Sequence, residues 1–226
     1  MAERPILFSG PMVRAILAGT KTQTRRVITP QPDRVWGSGV RHGETRFSAH
    51  VRYATGTPDV WVPCPYGDGD AGDRLWVRET WNAVNTRGAF WDELNADERA
   101  GWRWLPLYKA SETAGEWGHY EGPYRPSIHM PRQFSRITLE VLSVRVERVQ
   151  DISEADAQAE GVIHDPDPIT GQGAAWWVDR PDGAQQGYVT AREAYSALWD
   201  KLNEARGYGW KVNPWVWVVE FKAVQP

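Results

Sequence analysis

RITLEVLSVRVERV, from Arg136 to Val149, is the stretch from which the fold is read. Ile137, Leu139 and Val141 alternate with polar neighbours, the period of a half-buried β-strand, and Leu142, Val144 and Val146 then carry the alternation on in the opposite phase. Such a slip predicts one long strand with a β-bulge near Val141. The closing stretch WVWVVEF, Trp215 to Phe221, is apolar on both faces until Glu220 and suits a central or barrel-closing strand. In GDRLWVRETW, Gly72 to Trp81, a turn precedes a strand that sets Leu75, Val77, Glu79 and Trp81 on one face. If Leu75 and Val77 face the core, Glu79 points inward and needs a basic partner, because a buried lone carboxylate is costly. A further strand is expected around Trp104 to Ala110.

Helices are short and few. Pro11 to Gly19 has Pro in the first turn, apolar residues at helical spacing and a terminal Gly. Ser153 to Glu160 opens with a capping box, Ser153 and Asp156, and Gly161 closes it. Thr190 to Arg206 is the clearest helix, with Thr190 as cap, Glu193 three residues on, Ala194, Leu198 and Leu202 as an apolar stripe, and Gly207 after it. Two stretches, 29–72 and 164–187, are rich in Gly, Pro and Asp and show no sustained period, so both are read as irregular insertions. Strands outnumber helices, without strand–helix alternation. The fold class expected is mainly β with peripheral α-helices, α+β, with a small β-barrel as the economical architecture for one domain over 1–226.

Composition narrows function. With 26 basic and 29 acidic residues the net charge is −3, so no global basic field exists to hold a long duplex. Cys64 is the single cysteine, which excludes an intramolecular disulfide and the zinc base deaminases that need two thiolates. The five histidines lack metal-ligand spacing, and neither a metal nor a cofactor is expected. Glycine-rich phosphate loops, Rossmann fingerprints and GxSxG elbows are missing from the sequence, and kinase, dehydrogenase and α/β-hydrolase readings fall with them. No apolar run approaches a membrane span and the first residues do not read as a leader, so a cytoplasmic protein with no membrane partner is expected. The 14 tryptophans are unusual, and their flat faces serve equally in a core or against bases.

Two polar segments stand out. KTQTRR, Lys21 to Arg26, gathers an amine, two hydroxyls and two guanidiniums directly after a helix, either a solvated basic turn or an anion or nucleotide site. RPSIHMPR, Arg125 to Arg132, presents His129 and Arg132 on a Pro-punctuated loop that serves either as a reader of bases and phosphates or as a fastened crossover.

Taken in order, ILAGTKTQTRRV (Ile16 to Val27), GDRLWVRETW, RPSIHMPR, RITLEVLSVRVERVQDISEADAQAEG (Arg136 to Gly161) and NPWVWVVEFK (Asn213 to Lys222) resemble the ASCH family of the PUA-like superfamily, in particular its larger phage- and prophage-associated members. The resemblance covers somewhat over half of the chain. It implies a PUA-like small β-barrel whose cleft handles RNA, single-stranded nucleic acid or modified nucleosides. Some small ASCH proteins deacetylate N4-acetylcytidine with a Lys, a Thr three residues later and a distant Glu, which match Lys21, Thr24 and Glu160 here.

With those roles, Thr24 attacks the acetamide carbonyl. Glu160 is then favoured as proton acceptor and Lys21 as the group that positions Thr24 and steadies the oxyanion; Lys21 as base with Glu160 orienting it stays open. Substrate contacts are expected from Arg25, Arg26, Trp76, Arg78, Glu79, Trp81, His129 and Arg132, with Trp76 or Trp81 stacking on the base. The expected activity is an amidohydrolase cleaving the amide of a modified pyrimidine. The alternative is a non-catalytic RNA or single-stranded DNA binding module, or a ribonuclease, and a third is an assembly protein whose aromatic insertions contact other chains. The sequence leaves the oligomeric state open.

Overall fold

The computed structural model of the chain describes residues 3–40, 47–53, 58–67, 72–85, 87–100, 102–111, 123–166, 175–178 and 187–224. Their strands are β1 (Glu3–Leu7), β2 (Gln23–Val27), β3 (Arg34–Val40), β4 (Phe47–Arg52), β5 (Val60–Pro63), β6 (Arg74–Arg78), β7 (Trp81–Asn85), β8 (Trp104–Tyr108), β9 (Thr138–Arg148), β10 (Ile163–Asp165), β11 (Ala175–Trp177) and β12 (Trp215–Val224). The helices are α1 (Gly10–Leu17), α2 (Ala96–Arg99), α3 (Glu154–Ala159) and α4 (Ala191–Asn203). The α+β class, mainly β with peripheral helices, is what the sequence led us to expect.

The organising element is a mixed five-stranded sheet in the order β1-β6-β9-β12-β2, with β1 parallel to β6 and the other pairs antiparallel. β12 lies inside it, between β9 and β2, and its two faces feed two cores. Trp217, Val219 and Phe221 pack with Leu75, Leu139, Val144 and the α1 residues Val13 and Ile16. Val216 and Val218 pack on the opposite face with Ala157 of α3 and Ala194, Tyr195 and Trp199 of α4. This is why the segment reads as apolar on both faces. The bulge falls next to Val141: Glu220 pairs with Ser143 and Phe221 with Val141, leaving Leu142 as the extra residue, 54% exposed.

The described strands do not close into a barrel. β1 and β2 are the two edges of the sheet, and no ladder joins them among the described residues. One side chain crosses the gap, where Arg26 Nη2 donates to the Leu7 carbonyl at 2.5 Å and its guanidinium lies 5.1 Å from the Phe8 ring centroid.

The stretches expected to be irregular carry more structure than their composition suggests. Within 29–72, β3, β4 and β5 form an antiparallel sheet whose Ala49 and Val51 enter the first core. Its other face carries a pile of rings, Trp36 against His50 at 5.1 Å and His50 against Trp61 at 5.2 Å, with Arg52 over Trp36. Within 164–187, β10 and β11 pair as a short hairpin, while 167–174 and 179–186 lie outside the described residues. The β7–β8 hairpin makes a third core with Met130 and Phe134.

Candidate functional site

The site begins where two helices end. Gly19, at φ +74°, turns the chain back after α1, so that the Thr20 and Lys21 amides both donate to the Ala15 carbonyl at 2.9 and 3.1 Å. At α3 the Ser153 hydroxyl caps the first turn by accepting from the Asp156 amide at 3.0 Å, and Gly161, at φ +92°, ends the last. A Cβ at position 161 would stand 2.9 Å from Ala15 Cβ and 3.1 Å from Lys21 Cβ. Glycine is therefore needed there twice, for its left-handed backbone and for the close approach of the two helix ends. The result is an isolated antiparallel bridge between Lys21 and Glu160, with the Thr22 amide donating to the Ala159 carbonyl at 2.8 Å.

The side chains complete the junction. Lys21 Nζ donates to Glu160 Oε2 at 2.8 Å and to the Glu160 carbonyl at 2.8 Å, joining residues 139 positions apart. Arg25 Nη1 donates to Glu160 Oε1 at 3.3 Å, so each carboxylate oxygen carries a cation. All three residues are buried. Burial pulls the Lys21 pKa down, and the nearby Glu160 carboxylate pushes back without restoring it. The Tyr195 phenol, buried near Glu160, is raised well above its ordinary value by loss of solvent and by that carboxylate.

Arg25 is tied further. Its Nη2 donates to Glu147 at 3.0 Å and to Asp156 at 3.3 Å, and Arg145 meets both of those acids and Glu220. Burial alone would raise the Asp156 carboxyl, but Arg25, the Ser153 hydroxyl and Arg145 together hold it below the usual carboxylate range. Arg25 thus holds the Glu160 carboxylate within a charge network instead of standing free for a ligand.

A cleft of about 470 Å³ opens at the gap between the two sheet edges. Phe8 and Met12 line it from the β1–α1 side, Thr24, Arg25 and Arg26 from β2, Glu160 from the end of α3, and Tyr195, Leu198, Trp199 and Leu202 from α4. Thr24 is buried, and its hydroxyl makes no hydrogen bond among the described residues. Leu198 and Leu202 of the apolar stripe both line the cleft; Leu198 also packs against the second core, whereas Leu202 is 44% exposed. The core face of α4 is rotated, through Ala191, Ala194, Tyr195 and Trp199. A smaller cavity of about 170 Å³ adjoins along Met12, Leu198 and Leu202.

The remaining expected contact residues lie elsewhere. Trp81 is fully buried against Phe134 and Trp91, with no face left for a base. Trp76 is buried under Arg78, whose guanidinium sits 4.6 Å from its ring, and Arg132 lies over the same ring. Arg78 also donates to the Ile128 carbonyl, and Arg132 pairs with Glu3 at 3.0 Å. Glu79 does point inward and has its basic partner, two bonds of 2.9 Å from Arg136, although β6 ends one residue before it. His129 is exposed on a 3₁₀ turn, Ser127–His129. None of these six lines the cleft.

Sequence reasoning missed Phe8, Tyr66, Tyr195, Trp199 and Arg206, which do line it. Only the Leu198 and Leu202 stripe hinted at them. Among the described residues no group of three or more His, Cys, Asp or Glu is placed to hold a metal, and no helix is long and apolar enough to cross a membrane. Compared with protein-family models, curated proteins and solved structures, the chain matches none.

Proposed function

We propose that the cleft is the active site of an amidohydrolase of the ASCH kind, on a PUA-like scaffold in the cytoplasm, cleaving the amide of a modified pyrimidine such as N4-acetylcytidine. The observation that carries this reading is the 2.8 Å contact of Lys21, wholly buried behind the cleft, with Glu160, which lines the cleft together with Thr24. A volume of about 470 Å³ suits a nucleoside, and Phe8, Tyr195 and Trp199 offer it aromatic walls.

In this mechanism the Thr24 oxygen adds to the acetyl carbonyl carbon as its proton passes to Lys21. Burial favours the free-amine form of Lys21 that can accept it. Both Glu160 oxygens already accept hydrogen bonds, one from Lys21 and one from the Arg25 guanidinium, which favours Glu160 as orienter over Glu160 as base. Lys21, now an ammonium, stands by the developing oxyanion. Collapse breaks the carbonyl C–N bond, and the exocyclic nitrogen departs with the proton as the 4-amino group. Water then hydrolyses the acetyl ester on Thr24, releasing acetate.

The test is release of cytidine from N4-acetylcytidine by the purified protein. Thr24→Ala is expected to lower it by at least roughly 10³-fold with the circular dichroism unchanged. Full turnover by a folded Thr24→Ala protein rejects the role. The ring pile of Trp36, His50 and Trp61 beside Arg52 favours a second reading, a single-stranded nucleic-acid reader, for which an oligonucleotide gel shift that weakens with salt is the check.

A further inference from the structure

Two guanidiniums in the cleft differ from every other Arg near it. Arg25 is consumed by three carboxylates, whereas Arg26 and Arg206 have no carboxylate partner among the described residues. Arg26 gives one bond to the Leu7 carbonyl, and its Nε is buried with no hydrogen-bond partner. Arg206, just past α4, makes a single long bond of 3.5 Å to Asn203 and otherwise lies over the Tyr208 ring. Tyr66 lines the same cleft. Burial raises its phenol pKa, while Arg26 and Arg206 act in the opposite direction. The phenol therefore stays protonated, as a donor.

A cleft whose lining carries unpaired cations is out of balance unless an anion enters. Its one acid, Glu160, does not supply that anion, being neutralised by Lys21 and Arg25. Two guanidinium forks and a phenol hydroxyl match the several oxygens of a phosphate, and an unmade bond at a buried donor is costly, which gives such a ligand something to relieve. The flat apolar walls beside them suit the base and sugar.

We propose that Arg26, Arg206 and Tyr66 form a phosphate subsite of the cleft, so that its ligand is a phosphate ester of a pyrimidine nucleoside rather than the free nucleoside. This rests on the nucleoside reading of the cleft, but not on its chemistry.

The test uses binding of unmodified ligands, so loss of deacetylation does not decide it. Titration calorimetry of the full chain compares cytidine, cytidine 5′-monophosphate and the dinucleotide cytidylyl-cytidine. The monophosphate is expected to bind at least tenfold tighter than cytidine at low salt. Arg206→Gln, at an exposed position outside the three cores, is expected to abolish that tenfold difference while leaving cytidine binding within twofold, and Arg206→Lys to restore part of it. A dinucleotide matching the monophosphate shows that a diester suffices; one no better than cytidine shows that the subsite takes a monoester. Equal affinity for cytidine and its monophosphate, a preference that survives both Arg206→Gln and Arg26→Gln, or no binding of any of the three overturns the subsite. A phosphate preference without turnover of N4-acetylcytidine keeps it and removes only the amidohydrolase.

Discussion

Glu79 and Glu160 are two buried carboxylates in one molecule, 1% and 3% exposed, and each meets a cation at 2.8–2.9 Å. They differ in what surrounds the pair. Glu79 takes both bonds from Arg136, whose side chain reaches a quarter of the way into solvent and packs 4.0 Å over the Tyr108 ring. That pair fastens the turn between β6 and β7 to the entry of β9 and is closed to ligands. Glu160 divides its oxygens between Lys21 and Arg25, both wholly buried, and lines a cleft. Burial of an acid thus marks cost, and only access turns that cost toward chemistry.

The largest expected effects test this contrast directly. Glu79→Gln strands one cation that can regain water, and should cost about 3 kcal/mol in urea unfolding, the low end for a broken buried pair. Glu160→Gln strands Lys21 with no exposure and takes from Arg25 one of its three carboxylates, and should cost about 5 kcal/mol. A smaller loss for Glu160→Gln than for Glu79→Gln would break the comparison, since Lys21 and Arg25 would then not depend on that carboxylate for their charge.

A subtler version reads Lys21 by pH. Its folded pKa is lowered by burial, so the unfolded chain, with an ordinary Lys near 10.4, holds the proton to higher pH. Between the folded and unfolded values the unfolded state binds more protons, and stability contributed by Lys21 therefore rises with pH. The slope is at most about 1.4 kcal/mol per pH unit, that of one proton. Subtracting the profile of Lys21→Met from that of the natural protein should leave a rise below about pH 10. In Glu160→Gln the rise should move to lower pH, because the carboxylate no longer supports the ammonium. A flat difference would mean that Lys21 keeps an ordinary pKa in its buried position.

The two acids were also unequally legible. Glu79 could be read as inward from strand alternation alone, and the partner demanded by physics exists. Glu160 sits at the end of α3 in an acidic stretch whose pattern suggests surface charge, and only the resemblance singled it out. What buries it is Gly161, whose missing Cβ admits Lys21, and a close approach between remote segments leaves no local period. The β9 bulge and the burial of β12 on both faces were legible because alternation records burial face by face. The β3–β4–β5 sheet was not, since β3 is interrupted by Gly37, Gly39 and a register shift at Trp36. Trp81 could not be told from a stacking residue, because an indole in a core and an indole in a cleft look the same until its neighbours, Phe134 and Trp91, are known.

The same ambiguity of apolar residues gives the smallest stability effect and the sharpest separation of site from scaffold. Leu202 continues the helical spacing of Ala194 and Leu198, so its sequence position argues for core, yet 44% of it is exposed at the cleft wall. Removing a core leucine costs roughly 2–5 kcal/mol, whereas a surface change usually stays within about 0.5 kcal/mol. Leu202→Ala should therefore leave the urea midpoint almost unmoved while weakening cytidine several-fold, since the cleft loses apolar area that the ligand would cover. Should the variant unfold as a core leucine does, the helix must be packed one residue round from where α4 now sits, and Leu198 and Leu202 would cease to be wall. Should it remain stable and bind cytidine unchanged, the apolar side of the cleft is not where the base lies, and Phe8 with Trp199 become the faces to vary next.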